Sequence, residues 1–216
     1  MDFRAVIFDL DGTLLNTIDD LADSMNIVLE GLGFPSHGVE KYKYYIGDGL
    51  YNLVSRAIPR DSHDEDLIWR CIDRFRQEYN RRWGNKTRPY NGIPQLLDGL
   101  KDRSVPMAVL SNKPHEFTKI IVDKFFPQWH FSAVFGERKG IPKKPDPTSA
   151  WEICRILGMQ PEEFLYIGDT NTDMKTARAS NMYAVGALWG FRDADELLES
   201  GAQTLVERPV DVLRLL

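Results

Sequence analysis

Cysteine and histidine are scarce in this chain, which has two cysteines and four histidines among its 216 residues. No group of them has the spacing of metal ligands. Cys71 and Cys154 lie far apart, each in a segment with helical periodicity, so we expect two reduced, buried thiols. The sequence therefore excludes a small disulfide-stabilised protein and a zinc site built from cysteine and histidine.

An excess of positive charge and long hydrophobic runs are also missing. The 27 basic and 32 acidic residues give a net charge of −5, which argues against binding nucleic acid or an anionic membrane through overall charge. No segment approaches a membrane span, and no basic segment followed by a long apolar run opens the chain. We therefore expect a cytoplasmic monomer or homodimer that binds neither nucleic acid nor membranes.

Short apolar runs alternate with helical periodicity over most of the sequence. The predicted strands cover residues 5–9, 106–111, 133–136, 164–168, 183–188 and 204–206. Strands that alternate with helices predict right-handed βαβ units and a parallel sheet, so the predicted fold class is α/β with a Rossmann-like parallel sheet core.

A nearly all-helical block interrupts this alternation just after the first strand. We interpret it as an inserted small all-helical cap domain over 17–83, with the core domain formed by 1–16 and 84–216. Within the block, "SHDE" (62–65) has the capping-box pattern and predicts Ser62 as the cap of a helix. The apolar stripe of that helix is Ile68, Ile72, Phe75 and Tyr79.

Two aspartates end the first predicted strand, in the segment "VIFDLDGTLL" (6–15). Residues two apart in a strand point to the same side, so the side chains of Asp9 and Asp11 start about 7 Å apart. Gly12 then allows a sharp turn and a close approach of the backbone to a ligand. Because ligands of open α/β sheets bind beyond the carboxyl ends of the strands, we expect a binding site here.

Other predicted strands also end in polar residues. Ser111 and Asn112 begin "SNK", which suits phosphate oxygens, and "GERKGIPKKPDP" (136–147) gathers cations in an acidic chain. Asp169 and Asp173 follow another strand, in "IGDTNTD". Four converging carboxylates require a cation, and hard oxygen ligands in small number suit Mg²⁺. The pattern predicts a magnesium ion with a phosphate beside it.

With these motifs in place, the chain resembles the haloacid dehalogenase-like superfamily of phosphotransferases over nearly its full length. Four segments match in order: "DLDGT" (9–13), "LSN" (110–112), "KP" (144–145) and "GDTNTD" (168–173). Within the superfamily it most resembles the phosphoglycolate phosphatases, through "DGTLLNTIDDL", "IGDGL", "RPYNGIPQLLDGLK", "SNKP" and "KPDP". The resemblance implies a Mg²⁺-dependent phosphoric monoester hydrolase that acts on a small phosphorylated metabolite. The leading candidate for this substrate is 2-phosphoglycolate.

The resemblance also implies a role for each acidic residue. Asp9 would be the nucleophile that becomes an aspartyl-phosphate, and Asp11 would be the general acid and then the general base. The metal ligands would be Asp9, the backbone carbonyl of Asp11, and Asp169, with Asp173 binding directly or through water.

The remaining implied site residues bind the substrate. Those expected at the phosphate are Gly12, Thr13, Ser111, Asn112 and Lys144. Lys143 is adjacent, and a contribution from it stays open. The cap loop that contains Gly47, Asp48 and Gly49 is expected to meet the organic part of the substrate.

Several other functions fit parts of the pattern. The same site could act on pyrophosphate, a sugar phosphate or a nucleotide, or could belong to a phosphosugar mutase. A phosphoacceptor signalling module also phosphorylates an aspartate on a parallel sheet, but Asp11 and the helical insertion argue against it. A catalytically silent interaction protein is the least expected, since every reactive position is filled.

Overall fold

The structure is a computed structural model that describes residues 2–216. The chain divides into two compact units. One contains the segment that ends at Leu15 together with Pro89–Leu216, and the other is Asn16–Arg88.

The first unit is built on a six-stranded sheet in which every pair is parallel. Numbered in chain order, the strands of the protein are β1 (Ala5–Phe8), β2 (Leu15–Asn16), β3 (Arg88–Pro89), β4 (Met107–Pro114), β5 (Ala133–Glu137), β6 (Phe164–Gly168), β7 (Tyr183–Ala187) and β8 (Thr204–Val206). The sheet order is β5-β4-β1-β6-β7-β8, and β2 pairs with β3 in a separate two-stranded sheet. This order places the carboxyl ends of β4, β1 and β6 side by side.

The central strands are apolar along their whole length because both faces of the sheet are covered. All four residues of β1 and all five of β6 are buried. Helices of this unit are α5 (Ile93–Asp102), α6 (His115–Phe125), α7 (Thr148–Leu157), α8 (Asn171–Ala179) and α9 (Ala194–Glu199), with 3-10 helices at Pro161–Glu163 and Pro209–Arg214. The predicted α/β fold with a Rossmann-like sheet is confirmed.

The second unit is helical, with α1 (Ile18–Glu30), α2 (Val39–Tyr45), α3 (Leu50–Ala57), α4 (Glu65–Arg82) and a 3-10 helix at Arg60–Ser62. The stripe predicted on α4 is buried, so it forms the side that packs on α1 and α3. The prediction that Ser62 caps this helix is wrong. Ser62 ends the 3-10 helix, and Asp64 is the cap, because its carboxylate accepts the N–H of Leu67 at 3.2 Å.

The helical unit ends five residues beyond the predicted boundary at residue 83. The cause is Asp20 in α1, whose carboxylate accepts the N–H of Lys86 at 3.0 Å and that of Thr87 at 2.8 Å. These hydrogen bonds keep the segment after α4 with the helices. The assignment of the two units to a core domain and a cap domain stays a prediction.

Cys71 and Cys154 are free and buried, which confirms the prediction of reduced thiols. Between residues 2 and 216, no helix has both the length and the apolar character that crossing a bilayer requires.

Candidate active site

Three carboxylates meet at the carboxyl ends of β1 and β6. Asp9 follows β1, Asp169 follows β6, and Asp173 lies in the first turn of α8. All three are buried, and one oxygen of each lies within 4.8 Å of the others. The structure therefore brings together three of the four acids that the sequence predicts at a metal.

Asp169 is held in place through both of its oxygens. The hydroxyl of Thr13 donates to Oδ1 at 2.8 Å, and the backbone N–H of Phe191 donates to Oδ2 at 2.8 Å. Two glycines allow this packing. A Cβ added at Gly12, which has a φ of +94°, would lie 2.2 Å from Oδ2 of Asp169, and one added at Gly190 would lie 2.2 Å from its Cβ.

Gly190→Ala tests whether this close packing positions the predicted metal site. The added methyl group would displace Asp169, and the backbone of Gly190 does not have a positive φ, so the effect is purely steric. We expect Mg²⁺ affinity and kcat/KM to fall at least about 10-fold, a loss typical for groups that orient metal ligands. Gly38→Ala is the control, because no atom lies within 4 Å of the added Cβ and its φ is −64°. Equal Mg²⁺ titrations for the two variants would contradict the expectation.

Asp173 has two functions in the local structure. Its Oδ2 accepts the N–H of Thr170 at 3.1 Å and the hydroxyl of Thr170 at 2.7 Å, as the carboxylate of a capping box that begins α8. Its Oδ1 accepts Nζ of Lys144 at 2.7 Å. Each oxygen thus already accepts a hydrogen bond from the protein.

Lys144 is a buried cation inside the acidic cluster. Its Nζ donates to Oδ1 of Asp9 at 2.7 Å and to the backbone carbonyl of Leu110 at 3.0 Å, besides Asp173. Lys143, the adjacent candidate, is exposed. The structure therefore places Lys144, and not its neighbour, against the predicted nucleophile.

Asn112 fixes the backbone around Lys144. Its Oδ1 accepts the N–H of Lys144 at 2.9 Å, and its Nδ2 donates to the carbonyl of Lys144 at 3.1 Å. Ser111 is buried beside it, and its Oγ accepts the N–H of Lys113 at 3.2 Å. Phosphate binding by Ser111 and Asn112 stays a prediction. The contact of Asn112 with the backbone of Lys144 is a second role, which the sequence motif did not reveal.

Asp11 lies outside the group of three carboxylates. Both of its oxygens accept Nζ of Lys113, at 2.9 Å and 3.0 Å. Lys113 is 8% exposed and was not among the predicted site residues, although it stands in the "SNK" segment. The side chain of Asp11 is thus paired with a cation, and the metal contact expected from its backbone carbonyl stays a prediction.

Burial and the close packing of charge shift the pKa values of the cluster. Burial raises the pKa of Asp9 from 3.8 to about 7; the charge of Lys144 opposes this rise, and those of Asp173 and Asp11 add to it. Burial, reinforced by Asp9 and Asp173, also raises the pKa of Asp169 well above its ordinary value. Burial acts to lower the pKa of Lys144, but the negative charges of Asp173 and Asp9 outweigh it and leave that pKa well above 10.5.

These carboxylates fit a magnesium ion. Their ligand atoms are hard oxygens held at one point, and burial, together with the repulsion between these carboxyl groups, raises the pKa values of Asp9 and Asp169. A bound divalent cation would favour the ionised form of both groups.

The predicted substrate loop lies in the helical unit, between α2 and α3. Gly47 and Gly49 have φ values of +118° and +89°, which favour glycine. Arg56 of α3 is ion-paired with the carboxylate of Asp48 and donates to the carbonyl of Tyr44 at 3.2 Å. The loop is therefore anchored to its own unit, and its role in substrate binding stays a prediction.

Comparisons with known proteins agree with this geometry. The model of the haloacid dehalogenase-like hydrolase family matches residues 6–187. A phosphoglycolate phosphatase of Chromobacterium violaceum is 34% identical over 90% of this chain and 89% of its own length. One from Aquifex aeolicus is 30% identical over 99% of this chain and 96% of its own.

A crystal structure gives the same result for the fold. A protein of Lactobacillus delbrueckii subsp. bulgaricus, for which its authors propose phosphoglycolate phosphatase activity, superimposes with a TM-score of 0.93 at 30% identity, over 100% of this chain and 98% of that one. The predicted resemblance is confirmed, and so is the predicted class of enzyme, a phosphoric monoester hydrolase. This chain belongs to the haloacid dehalogenase-like hydrolases.

Proposed function

We propose that the protein is a Mg²⁺-dependent phosphatase that hydrolyses a small phosphomonoester through an aspartyl-phosphate on Asp9. The substrate that we propose is 2-phosphoglycolate. The observation that carries the proposal is the buried group of Asp9, Asp169 and Asp173 with Lys144 inside it. The names of the relatives from Chromobacterium violaceum and Aquifex aeolicus support the choice of substrate.

In this proposal, Asp9, Asp169 and the backbone carbonyl of Asp11 hold the metal. Asp173 supports the metal directly or through water, beside its hydrogen bonds from Lys144 and Thr170. A bound Mg²⁺ would offset the negative charge that repels a phosphate dianion and would polarise a phosphoryl oxygen.

The residues of the chain supply the covalent chemistry. An oxygen of Asp9 attacks phosphorus, the bond from phosphorus to the ester oxygen breaks, and Asp11 donates a proton to the departing alkoxide. Asp11 then takes a proton from water as that water attacks the phosphorus of the aspartyl-phosphate. Inorganic phosphate leaves and the carboxylate of Asp9 is restored.

The phosphoryl oxygens need donors during both steps. Lys144 lies 2.7 Å from Asp9 and can donate to an oxygen of the group that Asp9 attacks. Ser111, Asn112 and the backbone at Gly12 and Thr13 complete the proposed phosphate site. Such donors stabilise the charge that develops in the transition state.

The proposal is tested by phosphate release from 2-phosphoglycolate, pyrophosphate, sugar phosphates and nucleotides, with and without Mg²⁺. We expect the highest kcat/KM with 2-phosphoglycolate and no turnover after chelation. Reduction of the working enzyme with borohydride should convert the acyl phosphate at residue 9 to homoserine, which mass spectrometry detects. A sugar phosphate that is isomerised without phosphate release would instead indicate a mutase, and no release from any compound would refute the proposed function.

Metal binding should also stabilise the protein more at higher pH. A carboxyl group whose pKa rises on folding favours the folded state at low pH, and this contribution is lost as pH rises from about 4 through about 7, the raised pKa of Asp9. Mg²⁺ binds the ionised carboxylates, so its binding offsets the stability that the protein loses as pH rises. We expect millimolar Mg²⁺ to raise the Tm by about 5–10 °C near pH 8 and by much less near pH 5.5.

Asp169→Asn is the matched control for this measurement. The amide can donate to Thr13 and accept from Phe191, so the local hydrogen bonds survive while a metal ligand is lost. Its Tm should not respond to Mg²⁺ at either pH. An equal response of the unaltered protein at both pH values would contradict the proposed metal site.

We further propose that the protein acts in the cytoplasm as a monomer or homodimer. The two free, buried cysteines fit a reducing compartment. Sedimentation of the purified protein measures the number of subunits.

A further inference from the structure

A second buried lysine stands beside the proposed general acid. Lys113 belongs to β4, is 8% exposed, and places its Nζ 2.9 Å and 3.0 Å from the two oxygens of Asp11. The ring of Phe117 lies below this ammonium group, with 5.9 Å between Nζ and the ring centroid. Lys113 is therefore held at a fixed place next to Asp11.

That place is next to the leaving group. If Asp11 protonates the departing ester oxygen, this oxygen lies within one hydrogen bond of the Asp11 carboxylate. Nζ of Lys113 lies within one hydrogen bond of the same carboxylate. The ester oxygen and Nζ are then at most about 6 Å apart, two hydrogen-bond lengths. An anionic group one carbon beyond the ester carbon could reach the ammonium.

The charge of the site favours such a contact. Lys144 serves the phosphoryl side, where it lies between Asp9 and Asp173. On the other side, the buried ammonium of Lys113 lies beside Asp11. A carboxylate on the leaving group would add a charge-assisted hydrogen bond to this ammonium.

We propose that Lys113 binds the carboxylate of the substrate and so determines a preference for phosphate esters of short hydroxy acids. This inference rests on the proposed function, and it adds the residue that would separate 2-phosphoglycolate from phosphomonoesters whose organic part carries no charge. The competing role for Lys113 is to orient Asp11 alone, which would affect all phosphomonoesters alike.

The test compares 2-phosphoglycolate with its amide, which has the same shape without the carboxylate charge. The measured quantity is the ratio of the two kcat/KM values, in which any contribution through Asp11 cancels. We expect Lys113→Met to lower this ratio about 10- to 100-fold, the range for one hydrogen bond to a charged group. The loss should fall mainly on KM for 2-phosphoglycolate, since substrate and transition state share the contact.

Two further variants keep the test decisive. Lys113→Arg retains the positive charge, so its ratio of kcat/KM values should lie closer to that of the unaltered enzyme than the ratio of Lys113→Met does. If Lys113→Met does not fold, Lys113→Gln is measured in its place. Lys175→Met, an exposed lysine on α8, is the control and should keep the full ratio.

The outcomes separate the inference from the function on which it rests. A ratio unchanged in Lys113→Met and Lys113→Gln, with both kcat values lowered, would overturn the inference and leave the phosphatase intact. An unaltered enzyme that hydrolyses neither compound would instead refute 2-phosphoglycolate as the substrate, and the inference with it.

Discussion

Asp9→Asn is expected to lower kcat by at least about 10⁴-fold, because an amide cannot form the acyl phosphate that divides the reaction into two steps. The fold should survive. The substitution removes a buried carboxyl group whose pKa is raised to about 7, and Oδ1 of the asparagine can still accept Nζ of Lys144. The measurement is phosphate release with Mg²⁺, together with Tm and circular dichroism.

Asp123→Asn is the control for this substitution. Asp123 is exposed on α6, in the same unit, and its substitution removes the same charge outside the proposed site. Its kcat should match that of the unaltered enzyme. Substantial turnover by Asp9→Asn, or homoserine found at another residue after borohydride reduction, would assign the nucleophile elsewhere.

Lys144→Met should reduce both activity and stability. Removing the ammonium leaves Asp9 and Asp173 buried together without a cation, and breaking a buried ion pair in this way costs about 3–5 kcal/mol. For a protein of this size, a loss of that magnitude lowers the Tm by roughly 6–20 °C. We expect kcat to fall about 10²- to 10³-fold, as when one donor to the transition state is removed.

The pH dependence of the Tm separates the two effects of Lys144. At low pH the carboxyl groups are protonated and no longer repel each other, so the Tm of Lys144→Met should approach that of the unaltered protein. Lys139→Met, at an exposed position in the same connection between β5 and α7, should change neither Tm nor kcat. A Tm deficit of Lys144→Met that is the same at low and neutral pH would contradict this electrostatic account.

Much of the core was predictable because its strands are short, fully buried apolar runs. The sequence predicts the bounds of β6 and β8 to the residue and places Asp9 and Asp169 at strand ends. Neighbouring parallel strands bring their carboxyl ends together, so the position in the sheet follows once the strands are recognised. The resemblance, which rests on the order of the motifs, then implied a role for each of these residues.

The contacts that complete the site could not be predicted in the same way. Gly190 and Phe191 reach Asp169 from the segment after β7, where no periodicity marks them. Asn112 and Lys144 are 32 positions apart, and Lys113 and Asp11 are 102 apart. Such pairs depend on tertiary packing, and a single sequence carries no signal for them.

The position of Lys144 has a consequence for the proposed dependence on Mg²⁺. An internal counter-ion already bridges two of the carboxylates, so the acids stay assembled whether or not a divalent cation is present. Loss or binding of the metal should then change the activity of the protein and leave its fold unchanged. Under the proposed function, removal of Mg²⁺ should stop turnover while the protein remains folded, and turnover should resume without a refolding step when the ion is added back.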